Sequence, residues 1–162
     1  METTPLDLVI KMTLTAWSAQ NNQLNKLVDH LTEAELARQV APGKNSGLYL
    51  YGHLVAVSDG MLPVMGWGEL LFPDLAPVFI NSPDRAGHSF PDLATLKACN
   101  GTIHARLNEH FQSTPPAAWF SRHMSVSPED FVKEPHRNKL NIVISRTNHL
   151  AYHLGQLQLL KQ

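Results

Sequence analysis

Residues 148–156 read NHLAYHLGQ and place two histidines, His149 and His153, four positions apart. The apolar residues around them recur with helical spacing, so the two imidazoles share one helical face, with Cβ atoms about 5–6 Å apart. Imidazole nitrogens at this spacing can both reach one metal ion at about 2.0–2.1 Å. The stretch therefore predicts a helix that carries two metal ligands. Two metal-free histidines at the edge of the core are the alternative.

Arg146 and Gln156 fall on the same helical face as the two histidines, beside apolar residues such as Leu150. The face lies where the core begins, and an unpaired polar group buried there costs about 1–3 kcal/mol. A metal, hydrogen bonds or a buried water could satisfy this polar row. We interpret Arg146 as a partner for a substrate carboxylate, or else as part of an internal ion pair or a side chain that reaches solvent. Gln156 either orients a metal ligand or forms a hydrogen bond between helices.

Upstream of this stretch, three more segments show the spacing of amphipathic helices. The predicted long helices run from Pro5 to Leu31, from Leu48 to about Leu71, from Pro91 to Gln112 and from Leu140 to Leu160. Thr4 and the sequence TEAE at residues 32–35 are typical of helix caps, and Pro63 predicts a kink or interruption in the second helix. No segment alternates as a strand would. The predicted fold class is all-α, a four-helix bundle with long connecting loops.

Two of the connections are long. Residues 72–90 contain several prolines and a glycine, and residues 121–139 are polar with two prolines. Both are therefore predicted to be irregular. Loops of this length are often lids or binding segments. The connection at residues 72–90 could form one wall of a ligand pocket or a dimer contact.

The composition indicates one globular domain over residues 1–162. Hydrophobic residues make up 43% of the chain, charged residues 17%, and the net charge is −1, so neither disorder nor a nucleic-acid partner is expected. No apolar run reaches the roughly 18 residues of a membrane span, and the N-terminus lacks the pattern of a signal peptide. The single cysteine, Cys99, predicts a reducing, cytoplasmic setting and is expected to be a small buried side chain.

The chain has nine histidines, a high number for its length. His53 lies on an apolar face of the second helix, either as a core histidine or as a ligand, and the residues alone do not show that it meets the last helix. His104 and His110 are ambiguous, and His104 is the better candidate for the interior. Asp59 is rotated by roughly 120° from His53, so we do not expect it to be a ligand. The other histidines outside the HxxxH pair are predicted to be solvated: His30, His88, His123 and His136.

Two stretches taken together resemble the DinB-like superfamily of metalloenzymes, which includes the YfiT-like proteins. They are TEAELARQVAPGKNSGLYLYGHL at residues 32–54 and NHLAYHLGQL at residues 148–157. The resemblance covers nearly the whole chain in order and implies a four-helix bundle in which His53, His149 and His153 bind one divalent metal. Asn45 departs from the pattern, because relatives usually carry an aromatic residue after the PGK-like turn.

The resemblance implies a metal-dependent enzyme that acts on a small-molecule substrate. Three histidines leave a coordination position open, as in catalytic zinc sites, and imidazole suits zinc, nickel and iron alike. Relatives include transferases that use low-molecular-weight thiols, a thiol-dependent isomerase and hydrolases. We therefore expect thiol transferase or hydrolase chemistry, with a low-molecular-weight thiol as a candidate cofactor. The pair lacks the glutamate of HExxH, which argues against a zincin-type peptidase.

Two further expectations concern the whole molecule. Homodimers are frequent among the relatives, so a homodimer is expected, although no residue pattern fixes the oligomeric state. The alternative function is a non-catalytic helical bundle, a binding or stress-associated protein whose metal is structural or absent. An open coordination position that faces a pocket would separate the enzyme from this alternative.

Overall fold

The computed structural model describes residues 4–161. Within that range the chain forms eight α-helices and one 3-10 helix. The elements are α1 (Pro5–His30), α2 (Glu33–Ala37), α3 (Gly47–Asp59), α4 (Met61–Met65), α5 (Leu75–Phe79), α6 (Leu93–Ser113), the 3-10 helix (Pro116–Phe120), α7 (Pro128–Lys133) and α8 (Lys139–Gln158). Over the same residues the only β-type pairings are two isolated bridges, Gln39 with Ser46 and Arg122 with Asn138.

The four long helices, α1, α3, α6 and α8, form the predicted bundle. α1 packs along α8, and α3 packs against both α6 and α8. Each long helix contributes buried side chains to one core, among them Trp17, Tyr51, Ile103 and Val143. Cys99 is buried, as predicted. The all-α four-helix fold is therefore confirmed. No helix among the described residues is long and apolar enough to cross a membrane.

Local capping fixes where several helices begin. Thr4 and Thr32 each form a reciprocal capping box with the residue three positions on, so that one hydroxyl and one carboxylate satisfy backbone amides at the helix start. Asp92 caps α6 by accepting a hydrogen bond from the Thr95 amide at 2.7 Å. The predicted starts of α1 and α2 are thereby confirmed.

The second long helix is shorter than predicted. α3 ends at Asp59, α4 covers only Met61–Met65, and the chain then turns at Gly66, where φ is +73°. Pro63 has no N–H and cannot continue the hydrogen bonding of α3, so the predicted interruption is present. The predicted continuation to Leu71 is wrong. The buried Asp59 carboxylate accepts hydrogen bonds from the amides of Leu71 and Phe72, at 2.9 and 2.8 Å, and folds the chain back.

The two long connections also contain helices that the sequence interpretation left out. α5 lies within residues 72–90 and packs against α3, with Phe79 fully buried. α7 lies within residues 121–139, where Ser127 accepts a hydrogen bond from the Asp130 amide and Pro128 occupies the first helical position. Both segments were predicted to be irregular, and that prediction is wrong over these two short helices.

Candidate metal centre

Three histidines from two helices meet in the interior of the bundle. His53 on α3 lies opposite His149 and His153 on α8, although His53 and His149 are 96 residues apart. The Nε2 atoms of His53 and His149 are 3.2 Å apart, and those of His149 and His153 are 3.0 Å apart. One nitrogen from each ring lies within 4.8 Å of the other two, and all three side chains are partly buried. The structure therefore brings together the three residues that the sequence singled out.

The outer nitrogens of two of these rings are held by hydrogen bonds. His53 Nδ1 donates to the backbone carbonyl of Phe79 at 2.7 Å, and His153 Nδ1 donates to the side-chain oxygen of Gln156 at 2.7 Å. A neutral imidazole has one N–H, so both rings present an unprotonated Nε2 to the centre of the group. These contacts fix the tautomers and orient the rings.

This donor set fits a metal ion. Metal–nitrogen bonds of about 2.0–2.1 Å place neighbouring ligand nitrogens roughly 2.9–3.4 Å apart, depending on geometry. The observed separations of 3.0 and 3.2 Å fall in that range. If His149 Nε2 carried a proton, it could donate a hydrogen bond to only one of the other two nitrogens. A cation at the centre can instead accept the lone pairs of all three nitrogens. The three histidines are thus positioned to hold a metal ion.

The surroundings of His149 and His153 favour the neutral form of both imidazoles. Burial, together with smaller effects of the neighbouring His153, His53 and Arg146, lowers the pKa of His149 to about 4. Burial also lowers the pKa of His153, partly opposed by its hydrogen bond to Gln156. Neutral imidazole is the form that binds metals. These two ligands are therefore ready to bind a cation at neutral pH without first losing a proton.

Gly52 and Phe79 explain how His53 acquires its orientation. A Cβ atom at Gly52 would collide with the ring of Phe79. The glycine therefore lets α5 pack closely on α3, which brings the Phe79 carbonyl to His53 Nδ1. Tyr49 secures the same segment by donating a hydrogen bond to the Ser82 carbonyl at 2.6 Å. Sequence reasoning missed Gly52 and Phe79, although a glycine directly before a candidate ligand in an apolar helix was a usable signal.

A family model described as the DinB superfamily matches residues 16–157, which include all three histidines. The chain belongs to the DinB superfamily. The resemblance inferred from the two sequence stretches is thereby confirmed. Comparison with curated proteins gives no match.

The two other predicted site residues of this DinB-superfamily chain have different environments. Gln156 lies one turn after His153 and accepts its Nδ1 hydrogen. Arg146 lies one turn before His149 and is half-buried; its Nε atom is buried without a hydrogen-bond partner among the described residues. Asp59 uses its carboxylate on the amides of Leu71 and Phe72, and it is not part of the histidine group, as predicted.

The remaining histidines divide into exposed and buried sets. His30, His88 and His136 are exposed, as predicted. His123 was predicted to be solvated and is instead buried, with Nδ1 accepting a hydrogen bond from the Ser125 amide. The reason is a backbone hydrogen bond of 2.8 Å from the next residue, Met124, to Val64, which holds this segment on α4.

His104 and His110 are separate from the metal centre. His104 stacks on Trp17 with ring centroids 5.6 Å apart, and His110 stacks on Trp67 at 4.9 Å. Burial lowers the pKa of His104 to about 4. His104 therefore faces the interior, which the sequence left open, and serves the packing between α1 and α6.

A cleft of about 230 Å³ borders the metal centre of this DinB-superfamily bundle. His153 and Gln156 on α8 and Leu50 on α3 line it. Residues from the turn after α2 and from α8 complete the lining: Val40, Gly43, Lys44, Asn45 and Tyr152. The cleft is large enough for a small molecule, and Lys44 supplies a positive charge at its side. Residues 72–90 reach the centre through Phe79 but do not line this cleft.

Proposed function

We propose that this DinB-superfamily protein is a metal-dependent enzyme in which His53, His149 and His153 hold a divalent metal for thiol transferase or hydrolase chemistry on a small molecule. The observation that supports this most directly is the convergence of three Nε2 atoms with separations of 3.0 and 3.2 Å between neighbours. Among residues 4–161, no fourth His, Cys, Asp or Glu joins the group. Three protein ligands with a position left open are characteristic of catalytic sites, whereas four ligands are characteristic of structural ones.

The protein side chains have distinct tasks in this proposal. A divalent metal held by three neutral ligands supplies Lewis acidity, which lowers the pKa of a water or thiol at neutral pH. The Phe79 carbonyl and Gln156 hold two of the ligand rings in the required tautomer. The cleft beside His153 admits the substrate or the low-molecular-weight thiol, and Lys44 favours an anionic group there. Zinc, nickel and iron all accept imidazole, so the choice of metal stays open.

The alternative is a non-catalytic binding or stress-associated bundle with a structural or absent metal. The cleft of about 230 Å³ against His153 supports the enzyme proposal over this alternative, because a purely structural site has no need of adjacent space. The absence of a fourth ligand among the described residues points in the same direction.

We further propose a homodimer formed through the outer face of α1 and α8. Val9, Met12 and Ile144 are 48%, 70% and 42% exposed, and Met12 and Ile144 line one shallow groove between the two helices. Clustered exposed apolar side chains are a feature of interaction surfaces. A cytoplasmic location stays a prediction that rests on the single cysteine.

The first test is metal content, measured by mass spectrometry on protein purified without added metal or a histidine tag. We expect about one equivalent of zinc, nickel or iron in the wild type, and its loss in both His53→Ala and His149→Ala. His88→Ala is the matched control, because His88 is exposed and outside the centre. The metal form would then be assayed with thiol and ester substrates. Wild-type protein that binds none of the three metals after reconstitution would contradict the proposal.

A further inference from the structure

His149 is the one histidine of the metal centre whose outer nitrogen has no hydrogen-bond partner among the described residues. His149 Nδ1 is buried, whereas the outer nitrogens of His53 and His153 are held by the Phe79 carbonyl and by Gln156. A histidine that ligates a metal almost always donates its other N–H to an acceptor. The acceptor for His149 therefore has to be a molecule other than the described part of the chain.

Arg146, one turn earlier on α8, presents a second buried donor without a partner among residues 4–161. Of its three guanidinium nitrogens, only Nε is buried and unpaired. The residue as a whole is half-buried, so its terminal nitrogens keep contact with solvent and its charge stays hydrated. A guanidinium group only donates hydrogen bonds, so Arg146 cannot be the acceptor for His149. What Arg146 requires in the interior is an acceptor for its Nε–H, not a counter-charge.

Both residues line one small cavity, whose volume of about 10 Å³ is just enough for a single water. Asn21, Asn100 and Ser58 are the other polar residues of its lining. Asn21 donates its side-chain N–H to the Trp17 carbonyl, and Asn100 donates to Asn25. The two amide oxygens form no hydrogen bond with other described residues and can accept one. Two unpaired donors and two free acceptors are the full complement of one buried water.

We propose that this cavity holds one ordered water that accepts hydrogen bonds from His149 Nδ1–H and Arg146 Nε–H. The same water donates its two hydrogens to the amide oxygens of Asn21 and Asn100. The inference rests on the proposed function in one respect: His149 Nδ1 carries its proton when Nε2 faces a metal. Arg146 is then a positioning residue, because its Nε–H helps to hold the water with a lone pair directed at His149.

Substitutions of Arg146 can separate the Nε–H from the charge. Glutamine carries a side-chain N–H group as many bonds from Cα as the arginine Nε, but it has no charge. Lysine keeps the charge and has a methylene group at that position, and methionine has a methyl group there and no charge. A carbon cannot donate the hydrogen bond, and the cavity has no space to spare. The lysine and methionine variants should therefore lose the water, and the glutamine variant should keep it.

The direct test is crystallography of the full chain, grown with and without zinc, at a resolution that shows ordered water. The wild type and Arg146→Gln should each show one water within hydrogen-bond distance of His149 Nδ1. This water should be missing in Arg146→Met. A wild-type cavity without a water, or a His149 Nδ1 that donates directly to a protein atom, would overturn the proposal.

The second test measures zinc affinity by competition with a chromophoric chelator. Arg146→Lys should bind zinc about 10-fold more weakly than the wild type, the lower end of the usual effect of losing an outer hydrogen bond to a ligand. Arg146→Gln should bind at least as tightly as the wild type, because it keeps the donor and removes a positive charge near the metal. Arg106→Lys is the matched control, because Arg106 lies on the surface of α6, and it should behave as the wild type. Thermal unfolding of each variant checks that it is folded.

The outcomes separate the two proposals. Wild-type zinc affinity in Arg146→Lys, or weaker binding in Arg146→Gln, would refute the positioning role of Arg146 and leave the metal site standing. A wild type that binds no metal would contradict the proposed function. The contacts of the water to Arg146, Asn21 and Asn100 need no metal, so the water should still be present in the crystals grown without zinc, and its absence there would refute the water site as well.

Discussion

At the scale of single residues, Gly52 controls how His53 is presented to a metal. Replacing Gly52 by Ala places a methyl group where the Phe79 ring packs, so α5 must shift and carry the Phe79 carbonyl away from His53. We expect metal affinity to fall by about 10–100-fold, the usual effect of losing an outer hydrogen bond to a ligand. Competition with a chromophoric chelator would measure it.

Gly155→Ala provides the matched control for this prediction. Gly155 lies on α8, two residues after His153, and a Cβ there would meet no atom within 4 Å. The helix should gain about 0.5–1 kcal/mol of stability, and metal affinity should stay at the wild-type value. Equal affinity in both glycine variants would show that the Phe79 carbonyl does not position His53.

His104 should make the protein sensitive to acid. Its pKa is about 4 in the folded protein, against 6.5 for an ordinary histidine, because burial disfavours the charged ring. Between these values the unfolded chain binds the proton and the folded chain does not, so stability is lost as the pH falls from about 6.5 to 4. The loss from this residue is about 3 kcal/mol at pH 4.

Urea unfolding at pH 7 and pH 4 would test this assignment. His104→Leu removes the titrating group, so its free energy of unfolding should fall less between the two pH values than that of the wild type. Any contribution from His149 is common to both proteins and cancels in the comparison. Identical pH dependence in the two proteins would contradict the role given to His104.

At the scale of elements, the return of the chain after α4 depends on Asp59, which holds Leu71 and Phe72. Asp59→Ala leaves the amides of Leu71 and Phe72 without their acceptor at a position where the carboxylate is 1% exposed. We expect a loss of about 2–4 kcal/mol in the free energy of unfolding, since two hydrogen bonds to a charged group are removed. Asp74→Ala is the control, because Asp74 is exposed and its side chain caps no helix. A similar loss in both variants would contradict the anchoring role.

Elements were predictable from sequence where the signal was long and local. The predicted third and fourth helices agree with the observed Leu93–Ser113 and Lys139–Gln158 to within a few residues, because periodic apolar spacing persists over several turns. α5 was missed because five residues with a proline among them show no period. Burial of Phe79 against α3 stabilises that helix, and this contact is visible only in the folded chain.

At the scale of the whole molecule, the histidine group depends on a contact that no local pattern encodes. The spacing of His149 and His153 predicted a shared face, but the separation of 96 positions between His53 and His149 carries no information about their distance in space. The prediction that His53 meets His149 and His153 came from the resemblance to the DinB superfamily. The outer partners show the same contrast: Gln156 is one helical turn from its histidine, and a bond to that ligand was one of the two roles considered for it, whereas the Phe79 carbonyl comes from another element.

The proposed homodimer gives the last prediction. If the face formed by Val9, Met12 and Ile144 is its interface, Met12→Glu buries a charge there and should convert the dimer to a monomer. Sedimentation velocity should give a mass near twice the 18.0 kDa of one chain for the wild type and near 18.0 kDa for the variant. Val132→Glu is the control, because Val132 is 82% exposed on α7 and outside this face, and it should remain dimeric. A wild type that is monomeric at all concentrations would refute the dimer, and a Met12→Glu dimer would refute this interface.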